Sequence, residues 1–359
     1  MSKHILLTGG AGYIGSHVYV ALVDAGYTPV ILDNFSNADD ETPQSLELIT
    51  KAPVICHRCD ILDAAAVQGV FAQYDFTAVI HFAAKKAVGE SVRDPLLYFE
   101  VNGTGFLNLL RAMERAGVKT LVFSSSATVY GTPEILPITE DAATGFTNPY
   151  APPPPAGEQM LDQIAAADPD WTIGTLRYFN PVGAHPSGLL TESPRKAKHP
   201  PENLMPRLLD VAIGKQPFIT VFGDDYDTPD GTGVRDYIHV SDLARGHVLS
   251  LNRLLETDES HLLNLGTGQG YSVLELIQNF SAACAVDLPY KIMPRRPGDI
   301  AACYADPSRA RDLIGFEAEH GVDEMCRSSW NSANSKRQTT NSWRTPKASK
   351  HTYIQWYGN

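Results

Sequence analysis

Long apolar runs and cysteines are scarce in this 359-residue sequence, and each scarcity excludes a class of protein. No window approaches the roughly 20 consecutive apolar residues of a membrane-spanning helix, and glycines follow the short apolar run at residues 5–7 at once, unlike a signal peptide. We therefore expect a cytoplasmic protein with no membrane partner. The five cysteines are odd in number and scattered, unlike a secreted disulfide framework. Cys56 and Cys59 form the one C-x-x-C pair, but no further ligand pair completes a zinc site, so we expect no metal.

Positive charge is also scarce, since 29 Lys and Arg oppose 41 Asp and Glu for a net charge of −12. This balance disfavours nucleic acid as a partner. The exception is the end of the chain, where residues 325–359 hold six Lys or Arg and no acidic residue. We interpret residues 331–359 as a basic, poorly ordered tail in water. A phosphate-binding or RNA-binding tail is the alternative that the composition leaves open.

Short β-rich runs alternate with longer helical patterns over the first 180 residues. The predicted strands cover residues 5–8, 29–33, 54–58, 78–82, 120–125 and 171–178, and the predicted helices cover 12–24, 64–74, 95–116 and 157–167. This alternation predicts an α/β fold with a doubly wound parallel sheet of the Rossmann type. Residues 1–180 would form that domain. Residues 181–330, which are richer in loops, would form a smaller mixed α/β substrate lobe, with some segments returning to the sheet.

A glycine-rich turn follows the first predicted strand and opens the first predicted helix. Gly9, Gly12 and Gly15 have the spacing of a dinucleotide-binding turn, which needs a tight bend and a close backbone approach to a diphosphate. Asp33 ends the second predicted strand, where a carboxylate accepts the ribose hydroxyls and repels a 2′-phosphate, so the pattern predicts NAD rather than NADP. Asp60 ends the third strand with Ile61 behind it, a place for an adenine ring. The alternative is a glycine turn in an unrelated α/β protein.

A run of serines and a later tyrosine suggest proton chemistry on an alcohol. Ser124, Ser125 and Ser126 leave the fifth predicted strand at its carboxyl end, the edge where open α/β sheets bind ligands. Tyr150 follows Ser126 by 24 residues. A hydroxyl and a phenol beside a nicotinamide can share the proton of a sugar alcohol while hydride leaves its carbon. A plain polar loop after the strand is the alternative.

With these motifs the sequence resembles the extended short-chain dehydrogenase/reductases, and among them the UDP-glucose 4-epimerase family, from about residue 5 to residue 330. Besides the glycine turn and the serine run, the matching stretches are residues 81–84 (HFAA), 86–91 (KAVGES), 177–184 (RYFNPVGA), 203–206 (NLMP) and 230–240 (DGTGVRDYIHV). The resemblance implies a homodimeric isomerase of galactose metabolism that interconverts UDP-glucose and UDP-galactose at C4 through tightly bound NAD. Related dehydratases carry an Asp-Glu pair where Ala127 and Thr128 stand, which disfavours dehydration.

The resemblance also assigns roles to individual residues. Tyr150 would be the catalytic base, and Ser126 its hydrogen-bonding partner on the sugar 4-hydroxyl. The NAD site would comprise Gly9, Gly12, Tyr13, Ile14, Gly15, Asp33, Asn34, Asp60, Ile61, Phe82, Ala83, Lys86, Asn102, Ser124, Tyr150 and Tyr178, with Lys86 and Asn102 contacting the cofactor or nearby loops. The UDP-sugar site would comprise Lys86, Ser126, Thr128, Asn180, Asn203, Leu204, Arg235, Arg296, Asp299 and Cys303. Arginine suits these positions because its guanidinium binds phosphate in a bidentate way.

The catalytic motif departs from the family at one position. The family has Tyr-x-x-x-Lys, whereas Pro154, in the proline run 152–155, follows Tyr150 by four residues. The lysine normally contacts the nicotinamide ribose, and its charge favours the tyrosinate. We therefore expect impaired turnover, with the next helix beginning near residue 156 or 157 because proline suits only a first turn. A pseudoenzyme that binds NAD and UDP-sugar, and an NAD-dependent dehydratase or dehydrogenase, are the alternatives.

Two further residues carry specific expectations. Cys303 stands where some related epimerases have tyrosine, and the smaller thiol leaves room for an N-acetyl group. We therefore expect UDP-N-acetylhexosamines to bind as well as the plain hexose nucleotides, although Cys303 as a merely small buried residue is the alternative. His239 precedes Ser241 and Asp242, where a helix is expected to begin, and we interpret it as a cap or core histidine rather than a catalytic one.

Overall fold

A computed structural model describes residues 3–86, 88–145, 154–192, 203–296 and 298–342. Its strands are β1 (His4–Thr8), β2 (Thr28–Asp33), β3 (Ile55–Arg58), β4 (Phe76–His81), β5 (Thr120–Ser126), β6 (Thr172–Tyr178), β7 (Asn180–Val182), β8 (Ile219–Phe222), β9 (Val234–His239), β10 (His261–Leu265), β11 (Gly270–Ser272), β12 (Tyr290–Met293) and β13 (Ala302–Cys303). Its helices are α1 (Tyr13–Asp24), α2 (Thr42–Thr50), α3 (Ala64–Phe71), α4 (Val88–Arg93), α5 (Pro95–Phe99), α6 (Phe106–Ala116), α7 (Pro154–Ala167), α8 (Leu204–Ala212), α9 (Val240–Thr257), α10 (Val273–Cys284), α11 (Ser308–Ile314) and α12 (Val322–Ser342). None of the helices in these ranges is long and apolar enough to cross a bilayer.

The large sheet has seven parallel strands in the order β10-β6-β5-β4-β1-β2-β3, so the predicted doubly wound α/β fold is confirmed. The middle residues of its central strands β1 and β4 are apolar, as expected where both faces of a sheet are covered. In β1, for example, Leu7 packs into the core that α1 and α9 cover, while its neighbour Leu6 packs into the core under α3 and α6. Because these strands are parallel, the carboxyl ends of β1, β4, β5 and β6 lie along one edge of the sheet.

The smaller lobe contains a mixed sheet, in which β9 pairs with β7, β11 and β13, and the pair β8–β12. Its core forms where α8, α10 and α12 meet, around Leu208, Phe280 and Met325. The strand β10 and the helix α9 return to the large sheet, and α9 packs against α1 there. The helix α12 crosses the predicted boundary at residue 330 and continues to Ser342, and the Ser332 hydroxyl contacts the Thr191 hydroxyl at 3.3 Å.

Local differences from the predicted elements have physical causes. The helix predicted over residues 95–116 is two helices joined by a π-helical segment, Glu100–Gly105, which contains two glycines. The helix α7 begins at Pro154, earlier than the predicted residue 156 or 157, because the first turn of a helix leaves its N–H groups without intrahelical partners and so accepts proline. The short helix α2 was not predicted. The predicted base, Tyr150, lies outside the described residues.

Candidate active site

The glycine turn between β1 and α1 is shaped so that its backbone is exposed to a ligand. Gly9 has φ +70°, and a Cβ there would lie 2.7 Å from the backbone nitrogen of Ala83. A Cβ on Gly15 would lie 2.5 Å from the carbonyl oxygen of Gly9, while Gly12 is the N-cap of α1. Side chains are therefore excluded from this turn, and the N–H groups of the first turn of α1 and the positive end of its dipole are left for an anion. Tyr13 and Ile14 form the first turn of that helix.

Asp33 ends β2 beside this turn and is held by backbone amides. Its two carboxylate oxygens accept hydrogen bonds from the N–H groups of Ala11 at 3.0 Å and Phe35 at 2.8 Å. Burial raises the pKa of the carboxyl, and the two amides act against that rise. Each oxygen keeps a second lone pair, so this carboxylate can still accept from ribose hydroxyls. It is placed where the dinucleotide motif requires an acidic residue.

The adenine side of the predicted site lies at the same sheet edge. The Asn34 side chain donates to the carboxylate of Asp60 at 2.8 Å, which joins the ends of β2 and β3. Ile61 is 4% exposed, and a Cβ on Gly105 would lie 2.6 Å from its side chain. The tight packing explains why the π-helical segment has a glycine at that point. The structure thus brings Asp33, Asn34, Asp60 and Ile61 to the ends of adjacent strands.

Buried polar groups lie at the predicted nicotinamide side of the cofactor site. Tyr178 ends β6 and its hydroxyl contacts Nε2 of His247 at 2.6 Å, while the ring of Phe82 lies 5.1 Å from that imidazole. The hydroxyl of Ser124 is buried beside that of Tyr178, and it makes no hydrogen bond of standard geometry within the described part of the chain. Since buried hydroxyls normally have partners, Ser124 fits a site that a polar ligand completes.

Ser126 is the last residue of β5 and caps the short 3₁₀ turn Ala127–Tyr130. Its oxygen accepts hydrogen bonds from the backbone N–H of Thr128 at 3.3 Å and from the Thr128 hydroxyl at 3.1 Å. These contacts fix the oxygen and leave the serine proton available to a substrate. Ser126 faces Tyr178 in the β5–β6 ladder, so the predicted catalytic serine lies beside the predicted nicotinamide side.

The loop that carries Lys86 is fixed by Asn102. The amide oxygen of Asn102 accepts from the N–H of Lys85 at 2.8 Å, and its nitrogen donates to the Lys85 carbonyl at 2.9 Å. The amide oxygen and nitrogen of Asn102 are therefore both bonded to this loop. Of the two contacts expected for Asn102, with the cofactor or with a nearby loop, the structure shows the one with the loop. Lys86 itself is exposed.

The predicted nucleotide side is built on the smaller lobe. Arg235 on β9 donates to the Val234 carbonyl at 2.8 Å and pairs with no carboxylate among the described residues, so its charge is available to a phosphate. Arg296 pairs with Asp299 at 2.9 Å and lies over the ring of Phe222.

Cys303, Asn180 and Asn203 belong to the same predicted UDP-sugar site and lie on three elements of the smaller lobe. Cys303 stands opposite Arg235 in the β9–β13 ladder and is 8% exposed, and burial raises the pKa of its thiol to about 11. Asn180 begins β7, and Asn203 is the N-cap of α8, immediately before Leu204. The Asn203 amide donates to Glu192, the last described residue before the segment 193–202.

The interpretation of His239 as a cap is confirmed. It is the N-cap of α9, and its Nδ1 accepts from the N–H of Ser241 at 3.1 Å, while Nε2 contacts the Ser328 hydroxyl at 3.0 Å. Sequence reasoning missed the role of Glu158, which is buried against Arg177 directly behind Ser126. The two residues are 19 positions apart on a helix and a strand, and no local motif links them.

The sheet order, the glycine turn and the serine at the end of β5 define an extended short-chain dehydrogenase/reductase that acts on nucleotide sugars. The family model described as GDP-mannose 4,6 dehydratase matches residues 6–329. The chain is 52% identical to a UDP-glucose 4-epimerase of Bacillus subtilis, over 91% of this chain and 95% of that protein. Within this class, the chain belongs to the UDP-glucose 4-epimerase family.

Two solved structures have the same fold over nearly all of the chain. The UDP-glucose 4-epimerase from Stenotrophomonas maltophila, with bound NAD and formylated UDP-arabinopyranose, is 47% identical with a TM-score of 0.90, over 94% of this chain and 99% of that one. The enzyme from Bifidobacterium longum, in complex with NAD+ and UDP, is 49% identical with a TM-score of 0.89, over 93% and 99%.

Proposed function

We propose that the protein is a UDP-glucose 4-epimerase that interconverts UDP-glucose and UDP-galactose with tightly bound NAD. The observation that carries the proposal is the edge formed by β1, β2, β5 and β6, where the glycine turn, Asp33, Ser124 and Ser126 have the positions and free hydrogen-bonding capacity that the family chemistry needs. The sequence identity of 51–52% to UDP-glucose 4-epimerases, over 91–92% of the chain, supports the same activity.

The residues present fit NAD. The backbone of the glycine turn would bind the diphosphate, Asp33 the adenosine ribose, and Ser124 and Tyr178 would lie at the nicotinamide side. A carboxylate at position 33 repels a 2′-phosphate, so NADP is disfavoured. Bound NAD supplies a group that accepts and returns hydride at the sugar C4.

The chain's own residues would then manage the proton and the nucleotide. Ser126 holds its proton toward the substrate because Thr128 occupies its acceptor side, so it can donate a hydrogen bond to the sugar 4-oxygen while Tyr150, as the base, takes the proton of the 4-hydroxyl. Arg235, whose charge no carboxylate of the described residues neutralises, would bind the diphosphate of UDP. Neither Ala127 nor Thr128 can act as the acid that dehydration requires, which favours epimerisation over that alternative.

A homodimer is part of the proposal. Three large apolar side chains lie on the surface of α5 and α6, with Leu96 78%, Phe99 53% and Leu107 37% exposed. An apolar patch of this kind on a folded domain is typical of an interface, and a second copy of the chain would cover it. Size-exclusion chromatography with light scattering tests this, since Leu96→Glu should give a monomer that keeps its NAD.

The experiment that tests the activity is turnover of UDP-galactose by the purified protein. Conversion to UDP-glucose without added NAD and without net NADH formation is expected of an epimerase. Visible consumption of added NAD would indicate a dehydrogenase, and ligand binding with no conversion would indicate a pseudoenzyme. A cytoplasmic location also belongs to this proposal, and cell fractionation tests it.

A further inference from the structure

A buried carboxylate–guanidinium pair lies directly behind the predicted catalytic serine. Glu158 and Arg177 are 9% and 4% exposed, and the guanidinium donates to both carboxylate oxygens, from Nε at 3.0 Å and from Nη2 at 2.7 Å. The hydroxyl of Ser125, the residue before Ser126, donates to the same carboxylate at 2.5 Å. Glu158 therefore holds two neighbouring strands through their side chains.

The three partners come from the elements that form the catalytic edge. Ser125 and Arg177 face each other in the β5–β6 ladder, and the next pair in register is Ser126 and Tyr178. Glu158 lies in the second turn of α7, four residues after Pro154. A single carboxylate thus ties the beginning of α7 to the ends of both strands, one residue away from the predicted catalytic serine.

The guanidinium also has contacts outside this pair. Arg177 donates from Nη1 to the carbonyl of Glu140 at 3.1 Å and lies 4.8 Å over the ring of Tyr130. The hydroxyl of Tyr130 donates in turn to Asn264 at 2.6 Å. These contacts fix the geometry of the buried pair, whereas removal of either charge leaves the other uncompensated in an apolar setting. The network therefore restrains the backbone around it.

We propose that Glu158 is a positioning residue for Ser126. The inference rests on the proposed epimerase function. With proline at 154, the chain lacks the side chain with which the family ties the beginning of this helix to the cofactor. Among the described residues, Glu158 makes the polar tie between the first half of α7 and the catalytic edge, beside the packing of Gly157 on Phe123.

The test compares two ends of the same helix–strand pair. Glu158→Gln removes the charge near the site, and Ser125→Ala removes only the hydroxyl that joins the pair to β5. The matched control is Asp168→Asn, which breaks the 2.9 Å contact of Asp168 with Lys119 at the opposite ends of α7 and β5. All variants are assayed as NAD-loaded protein with UDP-galactose, together with hydrogen exchange of the β5 peptide and thermal unfolding.

Glu158→Gln is expected to lower kcat by about 10–100-fold with KM within about twofold, because misplacement of a catalytic group by about 1 Å costs on the order of 100-fold. Ser125→Ala should lower kcat in the same direction, and both variants should lose amide protection over residues 124–128. Asp168→Asn should change neither.

The proposal would be overturned if Glu158→Gln and Ser125→Ala kept the kcat and the amide protection of the wild-type protein. It would also be overturned if their losses of kcat and protection were equal to those of Asp168→Asn. Failure of the wild-type protein to turn over would count against the epimerase function alone, since hydrogen exchange still decides whether Glu158 restrains Ser126. If Glu158→Gln does not fold, the comparison of Ser125→Ala with Asp168→Asn decides the question.

Discussion

Three fully enclosed histidines should make the protein unstable in mild acid. His17, His81 and His247 are 3%, 4% and 0% exposed. Burial, the main cause in each case, lowers the pKa of His17 and His81 to about 3 and that of His247 to about 4. The pairing of His17 shows why, since its Nδ1 contacts the Tyr13 carbonyl at 2.7 Å while its buried Nε2 has no partner among the described residues. A proton added at Nε2 would therefore be a buried charge without an acceptor.

The sign and size of the effect follow from the difference between the folded and unfolded states. An unfolded histidine has a pKa of about 6.5, so between that pH and the lower folded value the unfolded chain binds more protons. The free energy of unfolding is then undiminished above about pH 6.5 and falls as the pH decreases toward the folded pKa. At pH 5 the loss is about 2 kcal/mol for each histidine, or roughly 6 kcal/mol for three, against a total stability of roughly 5–15 kcal/mol. Burial also lowers the pKa of His239 and of His261 to about 4, which adds to the loss, whereas the raised pKa values of the buried Asp33 and Asp236 act against it.

Urea unfolding of the NAD-loaded protein at pH 7 and pH 5 measures the loss directly, and His17→Gln isolates one contribution. The variant should be less stable than wild type at pH 7, because it loses packing. Its further loss between pH 7 and pH 5 should nevertheless be smaller than that of wild type by about 2 kcal/mol. An equal loss in the two proteins would refute the reasoning, since it would mean that His17 takes up no extra proton on unfolding.

Three further outcomes concern the site. Replacing residues 152–155 with a helix-forming stretch that puts lysine at position 154 should raise kcat by about 10²–10⁴-fold, because a cation beside Tyr150 favours the phenolate that acts as the base. The same stretch with glutamine at position 154 is the control. An equal rise in kcat for both variants would show that helix geometry, and not the cation, is the cause. Cys303→Tyr should weaken binding of UDP-N-acetylglucosamine more than that of UDP-glucose in calorimetry, whereas equal losses would contradict the role of Cys303 in sugar size. Asp33→Ser should weaken NAD binding and reduce the preference of the protein for NAD over NADP, as measured by calorimetry with both cofactors. An unchanged ratio of the two affinities would contradict the assignment of Asp33 to the adenosine ribose.

The parts of the molecule that the sequence could predict are those in which local chemistry decides the structure. The glycine turn is one of them, because Gly9 needs a left-handed backbone and contact with Ala83 that no other residue permits. The six strands predicted in the first 180 residues end within two residues of the observed bounds, since strands buried on both faces have apolar runs that surface elements lack. His239 was also predictable as a cap, because its position before a helix and the residues after it suffice.

The parts that could not be predicted depend on distant contacts. The π-helical segment Glu100–Gly105 interrupts the helix predicted over residues 95–116, and Gly105 within it packs closely on Ile61, 44 positions earlier in the chain. The pairing of Glu158 with Arg177 likewise depends on the β5–β6 ladder and on where α7 lies across it. Charged residues in a helix and a strand are usually solvated, and only the fold shows that these two are buried together.

The proline at position 154 bears on proton chemistry far more than on binding. The helix α7 begins at that proline, so the proline run does not prevent the helix. Glu158, four residues after Pro154, still accepts a hydrogen bond from Ser125. The groups proposed to bind NAD and UDP lie on other segments, at β1, β2 and β9. A weak epimerase and a pseudoenzyme would therefore share the same binding sites. What separates them is whether Tyr150 can lose its proton without a neighbouring lysine, which a comparison of turnover with binding measures directly.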